Sequence, residues 1–570
     1  MRASEMLPLL PELLRAVARR ALAPARVRLR RNPVYRHMLR GQLADHIAFH
    51  PWDAAPRRLE EADSLLRGRF RFYGISVDVP DGVSVFDLQP PTPAWHMALH
   101  SFAWLPALSN AGGDNARRLA TNLIGQWLKR YNGYSEPVWL AHIMARRLAS
   151  IFSHGRLVVL NSEMMWRSRL FVSLREQAKV LERISREAPD GVPRLETAAV
   201  LALSGVCLDD SVRRRETGLK RLEEEIERQI LPDGGHVSRS PEALLTAYRD
   251  IVMVLEALSA AGEEPPHSLR NAHDRMAPML RFFRHGDGAL ALFNGGAESD
   301  AKMIAGLLAR DDIRGQPFHH ARHSGYQRLA AGRTLCLLDC GKTPHGAFAL
   351  HAHAGAGALE LSSGQDRIVV NCGAAGLSHQ AWSGALRATA AHSTVTLADT
   401  SSAAILPAGP LRNLLGPRLI EGPVAPVSRR VETTQGWTVE AMHDAYVAAF
   451  GLRHERQVTM SPQGLMVTGR DRLVPAEGQF QGRAVSGCHF AVRFHIHPDV
   501  RVSRLDGGGI LLKLPGGEGW RFRAGGGVLD VEESVYLGGP VVRRAEQLVV
   551  SGTIKDSPTE IAWVFEQVAS

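Results

Sequence analysis

The sequence predicts a mainly helical domain followed by an all-β domain, behind a basic N-terminal arm. From about residue 95, and for roughly two hundred residues, apolar side chains recur at three- and four-residue spacing, the period of an amphipathic helix. Around residue 310 glycine becomes frequent, and apolar alternation at period two takes over, separated by Gly and Pro turns. The 570 residues are enough for two or three domains, each with its own core. The expected divisions are an arm over 1–45, a helical domain over 46–312 and a β domain over 313–570.

Residues 1–40 hold ten arginines against Glu5 and Glu12, so this segment carries +8 of the formal net charge of +10. The rest of the chain is nearly neutral, and its charge gives no ground for a basic groove or a nucleic-acid surface. Leu10, Leu13, Leu14, Val17 and Ala21 repeat at helical spacing opposite Arg15, Arg19 and Arg20. Two readings follow: an amphipathic helix in peripheral contact with an anionic membrane or partner, or a solvated arm packed loosely on the body. The segment does not read as an export signal, because Pro8, Pro11 and Glu12 interrupt its apolar stretch. No apolar run is long enough for a membrane span, which leads us to expect a soluble protein.

Phe70, Phe72, Ile75, Val77 and Val79 alternate as a short strand or hairpin, and Gln89–Pro93 is a proline-rich joint. Helical periodicity then covers Trp95–Leu108, Asn115–Tyr131, Val138–Ser153, Arg169–Arg186 and Glu196–Leu208. Leu219, Leu222, Ile226 and Ile230 line a charged helix that stops at Leu231–Gly235, and Pro241–Ala261 starts on proline and ends at Gly262. Helix upon helix with short links fits a bundle, a solenoid or a closed ring. The period-two segments beyond residue 310 indicate an antiparallel sandwich. Five cysteines with no CxxC pair read as reduced core residues. Trp95, Trp104 and Trp139 fall at core positions of helical segments.

The chemistry is expected at His345–Gly373, read as two strands joined by Ser362–Asp366, with His351 and His353 two apart and on one face. Such a pair can act as base, acid or metal ligand. His495 and His497 form a second HxH, read as structural, and Arg284–Gly288 reads as a turn or a cleft-lining segment. No P-loop, GxSxG, HExxH or dinucleotide fingerprint stands in the right context.

The segments LPDGGHVSRSP at 231–241, HAHAGAGALELSSGQDRIVVNCG at 351–373 and RATAAHSTVTL at 387–397, in this order, resemble the heparinase II/III-like proteins. These are polysaccharide lyases and relatives. The resemblance implies an N-terminal incomplete α/α toroid followed by a C-terminal antiparallel β-sandwich, and β-elimination on an acidic, uronate-containing glycan. It places the protein in the cell envelope or periplasm; the lack of a recognisable signal makes the cytoplasm the alternative. Elimination needs a neutraliser for the carboxylate, a base and an acid. On the family pattern His351 serves the proton transfer, and His353, Asn371 and His392 form a zinc set.

The chain departs from that pattern in four places, one of which is Gly355 where the family's HxHAD has its acid. In the other three, Asn371 replaces an aspartate, Ala243 stands at the expected tyrosine, and no asparagine fills the neutraliser's place near Arg194–Ala199. His236 and Tyr248 are the substitutes for proton transfer, and Arg146, Arg147 and Arg387 the candidates to bind the sugar carboxylate. The alternatives are a non-catalytic carbohydrate-binding or envelope-associated protein that keeps the fold, and a glycoside hydrolase with two facing carboxylates.

Overall fold

Helices start where short polar caps and prolines stop the preceding chain. Thr92 accepts a bond from the Trp95 amide at 3.2 Å ahead of Pro93–His100, and Ser211 does the same for Val212–Gln229 through Arg214. The computed structural model describes residues 9–32, 34–35, 38–39, 46–54, 59–160, 162–310, 317–374, 380–434, 436–476, 487–539, 541–554 and 558–568. The chain forms an incomplete α/α toroid followed by an antiparallel β-sandwich, as expected. Among the described residues no helix is long and apolar enough to cross a membrane.

Two compact units are present: one of Leu13–Ile230 and Thr246–Asp274, the other of Met1–Glu12, Leu231–Leu245 and Arg275–Ser570. In the helical unit the hairpin Arg69–Phe72 with Ile75–Asp78 precedes the helices Gly113–Tyr131, Ala141–His154, Met164–Ile184 and Val192–Cys207, each within a few residues of its expected span. Trp95, Trp104 and Trp139 are buried, which makes them core residues. The helix His267–Phe283 went unread in the sequence; Pro278 lies inside it.

The other unit holds two large sheets. One runs, in spatial order, Arg501–Arg504, Ile510–Lys513, Gly519–Gly525, Thr559–Val568, Met466–Pro475, Leu452–Met460, Gly436–His443 and Val427–Thr433. The other places Val528–Tyr536, Arg543–Thr553, His489–Ile496, Asp366–Val370, Leu359–Ser363 and Thr334–Asp339 side by side, with two further strands beyond. Leu329, Val458, Phe494, Trp520 and Phe565 belong to the core of this unit. Within that core, Asp471 is fully buried and takes four bonds: Arg456 Nε at 2.6 Å and Nη2 at 3.1 Å, His454 Nε2 at 2.7 Å and Trp563 Nε1 at 2.8 Å. Arg456 and Asp471 are cross-strand partners, so strand register makes the pair. Gly469 leaves room for the Trp563 ring, which a Cβ there would meet at 1.9 Å.

The expected boundary near residue 312 is displaced. Residues 231–245 and 275–310 pack with the sandwich because their polar groups bond into it. Asp233 accepts from the His323 and Ser324 amides at 2.8 and 2.7 Å, and Asp287 pairs with Arg367 at 2.7 Å. Arg239, at φ +60°, donates to the Ser324 and Lys342 carbonyls at 2.8 and 2.9 Å, pairs with Asp339 and lies over the Tyr326 ring. Those contacts offset the cost of a left-handed backbone at a non-glycine residue.

Candidate functional site

The histidine segment is not the strand that alternation predicts. The strands are Leu359–Ser363 and Asp366–Val370; Gly346–Ala349 is a 3-10 turn, and His351 and His353 follow it in irregular backbone. The reason is local. Gly355 packs against the His392 ring and Gly357 sits at φ +75°, so AHAGAG cannot continue a pleat. The two imidazoles therefore do not share a face: His351 is exposed and His353 is buried. Loss of water around the His351 ring, and secondly the Arg387 guanidinium, lower its pKa, so it is a neutral imidazole at neutral pH.

Arg387 holds this segment from beneath. Its guanidinium donates to the Ala352 carbonyl at 2.8 Å, the Ala349 carbonyl at 3.2 Å and the Pro417 carbonyl, and it is buried. It is thus a positioning residue for the His351 loop, and the expected sugar contact is replaced by these backbone carbonyls.

A chain of buried bonds runs behind the loop. His285 binds Ser362 Oγ at 2.8 Å and Glu360 Oε2 at 3.0 Å; Glu360 Oε1 accepts from the Leu292 amide at 2.9 Å and from Asn371 Nδ2 at 3.0 Å. Asn371 Oδ1 accepts from His392 Nδ1 at 3.2 Å and from the Ser393 amide at 3.1 Å. A proton on Nδ1 leaves His392 Nε2 as a bare acceptor. The His392 and His353 ring centroids are 5.2 Å apart, and His392 Nε2 and His353 Nδ1 are both buried without a hydrogen-bond partner. Two imidazole nitrogens are suitable zinc donors, but Asn371 is fully committed to His392, Ser393 and Glu360. Among the described residues no three His, Cys, Asp or Glu side chains are placed to hold a metal ion. The donor set falls short of the four that a structural zinc takes.

The remaining expected residues are mostly internal. His236 is buried, with Nδ1 on Ser238 Oγ at 2.6 Å and its ring against Phe348. Tyr248 is fully buried with its hydroxyl 3.0 Å from His273 Nε2, which takes it out of proton transfer to a solvent-borne sugar. Arg147 is fully buried too, bonded to Gln177 at 2.8 Å and to the His100 and Val138 carbonyls at 2.8 and 3.0 Å, with Trp127 beneath it. It is a structural arginine and not a sugar ligand. Arg146 keeps 40% of its side chain exposed and pairs with Glu196 at 2.8 Å. His495 bonds Ser534 Oγ and the Ala390 carbonyl, as a structural histidine does. All five cysteines are free.

In the helical unit Arg146 borders a pocket of about 330 Å³ that also contains Glu196, Arg249 and Asp250. Sequence reading missed Arg249 and Asp250, and in the other unit it missed Glu360 and took in His285 only as part of the Arg284–Gly288 turn or cleft-lining segment. A charged residue at an inward strand position, as Glu360 is in LELSS, was the available signal for Glu360.

Burial also gives the protein an acid limit. His100, His236 and His495 are 1%, 2% and 3% exposed, and burial holds their pKa values down to about 3, 4 and 4. Each stays neutral when folded and binds a proton near pH 6.5 when unfolded, so the unfolded state binds more protons and stability falls as pH drops below about 6.5. Each contributes a loss of up to about 1.4 kcal/mol per pH unit. Urea unfolding at pH 7.5, 6.5 and 5.5 should give midpoints that decline most over the last step.

A helical toroid and a two-sheet sandwich, with two histidines on a loop ahead of a central strand, make up the architecture of the heparinase II/III-like proteins. The chain belongs to the heparinase II/III-like family: residues 313–564 match the Heparinase II/III-like, C-terminal family. Heparinase III superposes with a TM-score of 0.70 at 15% identity, covering 98% of this chain and 91% of that one. Heparan sulfate lyase HepC from Pedobacter heparinus does so with a TM-score of 0.59 at 18% identity and the same coverage. At these identities the likeness is one of fold. FtsZ-localized protein C of Caulobacter vibrioides is 30% identical over 525 residues, which is 91% of this chain and 89% of that protein.

Proposed function

We infer that this chain is a non-catalytic member of the family that localises with FtsZ at a membrane, docked by its N-terminal helix. The 30% identity with FtsZ-localized protein C over 91% of this chain and 89% of that protein carries this reading. The site supports it: of the six residues expected to bind or transform sugar, only His351 and Arg146 are not buried.

The helix Leu10–Arg31 supports the membrane part. It has no buried residue, and its half-buried side carries Ala16, Ala23, Val27 and Arg30, with Arg30 held by Tyr134 and Glu187. Leu10, Leu14, Val17, Leu22 and Leu29 are each 48–62% exposed. Apart from Leu13, which is half-buried, the apolar stripe therefore faces solvent, among arginines suited to anionic headgroups. Burying a Leu or Val contributes about 1.5–3 kcal/mol. Leu14→Glu with Val17→Glu should thus weaken sedimentation with phosphatidylglycerol-containing vesicles by more than about tenfold. Equal binding of the variant would sink membrane docking, and a fluorescent fusion that ignores FtsZ in cells would sink the localisation.

A second reading, elimination on a uronate glycan, is favoured by the exposed, neutral His351. Unsaturated products absorbing in the near ultraviolet, lost in His351→Ala, would establish it in place of the first.

A further inference from the structure

One apolar patch of the helical unit serves neither its core nor the N-terminal helix. The chain leaves the short helix Arg156–Val159 through a turn that Ser162 closes on the Val159 carbonyl, its amide at 3.3 Å and its hydroxyl at 2.9 Å, and then enters the helix Met164–Ile184. Trp166 folds its indole inward against Gly125 of Gly113–Tyr131, which leaves the two methionines before it on the outside. Leu160, Met164 and Met165 are 54%, 74% and 59% exposed. Three large apolar side chains kept in water within six positions of the chain mark a binding surface. Methionine suits such a surface, since its unbranched side chain adapts to the shape it meets.

The charges around the patch define what covers it. Between residues 156 and 169 the chain carries Arg156, Arg167 and Arg169 against Glu163 alone, and all four are exposed. Helical spacing makes Arg167 a neighbour of Met164 and Arg169 a neighbour of Met165. Among the described residues none of these three arginines makes a side-chain hydrogen bond or an ion pair, whereas Arg186, beyond the other end of the same helix, pairs with Glu224 at 2.7 Å. Unpaired positive charge around an apolar centre complements an acidic segment that carries apolar side chains.

An anionic bilayer offers the same chemistry, and position separates the two. The helix Leu10–Arg31 is held at the far end of Met164–Ile184: Arg26 and Arg30 pair with Glu187, just beyond that end, and Arg19 lies within electrostatic reach of Arg194, at the start of Val192–Cys207. The 21 residues of Met164–Ile184 put about 30 Å between that end and the methionines. A bilayer bound by the N-terminal helix therefore leaves the patch pointing away from lipid. We propose that Leu160, Met164 and Met165, flanked by Arg156, Arg167 and Arg169, dock a protein partner through an acidic segment bearing apolar side chains. The proposal rests on the localisation reading above, and it makes this patch the surface that meets FtsZ.

The test measures binding of the full chain to purified FtsZ by biolayer interferometry, and sediments the same proteins with phosphatidylglycerol-containing vesicles. The unchanged protein should bind FtsZ saturably. Met164→Asp with Met165→Asp, and separately Arg167→Glu with Arg169→Glu, should each weaken that binding by at least about tenfold, with vesicle binding held within about twofold. All four positions are exposed, and vesicle binding at the unchanged level reports that both variants are folded. Full FtsZ affinity in either variant would overturn the patch and leave the localisation reading standing. Loss of vesicle binding in the methionine variant would also overturn it, by making the patch a lipid contact. Failure of the unchanged protein to bind FtsZ would sink the localisation reading itself, and the patch with it.

Discussion

Asp471→Ala is expected to destabilise the sandwich unit by about 3–5 kcal/mol, because it strands a buried guanidinium without its counter-charge. Arg456 and Asp471 are both buried, and Asp471 also accepts from His454 and from the Trp563 indole, so one substitution leaves three donors unpaired in the core. Burial alone would raise the Asp471 carboxyl; Arg456 and then His454 outweigh it and hold the group below the usual carboxylate range. A depressed carboxylate contributes stability that is present above the unfolded value near 3.9 and lost as pH falls below it. Chemical unfolding near neutral pH should show the full loss in Asp471→Ala, with the gap between variant and unchanged protein closing in strong acid. A loss under about 1 kcal/mol would mean that water replaces the carboxylate, contrary to the burial argument.

Glu360→Ala should show the second large effect, also about 3–5 kcal/mol, with a local signature that the first lacks. Glu360 is the acceptor for His285, the Leu292 amide and the Asn371 amide group. Its removal frees Asn371 to rotate, and Asn371 Oδ1 is what keeps the proton on His392 Nδ1. Nitrogen NMR of the imidazoles should therefore show a single His392 tautomer in the unchanged protein and a mixture in the variant. An unaltered tautomer would place its control elsewhere, for instance with the neighbouring His353 ring.

The architecture was legible because periodicity is a property of many residues at once. Helices such as Gly113–Tyr131 bury one face and leave a 3.6-residue rhythm; sandwich strands such as Leu452–Met460 are buried at every second residue, but they leave an apolar rhythm of two only where the inward side chains are apolar, as at Val458 and Met460 and not at His454 and Arg456. The candidate site was legible only as a place. The spacing of His351 and His353 implied a shared face only if the backbone was pleated, and the glycines at 355 and 357 break that condition. Arg146 and Arg147 could not be told apart in sequence, yet one borders a pocket and the other lies over Trp127 in the core. The partners of Glu360 lie 11 to 75 positions away, where no local pattern reaches.

The displaced boundary bears on how the protein can be dissected. The recognisable family match begins at residue 313, but the sandwich unit includes Asp233, Arg239, His285 and Asp287, all upstream of that point. A fragment cut at 313 would expose Asp339, Glu360 and Arg367 with their upstream partners gone. It should therefore aggregate on expression under conditions in which the full chain remains in solution.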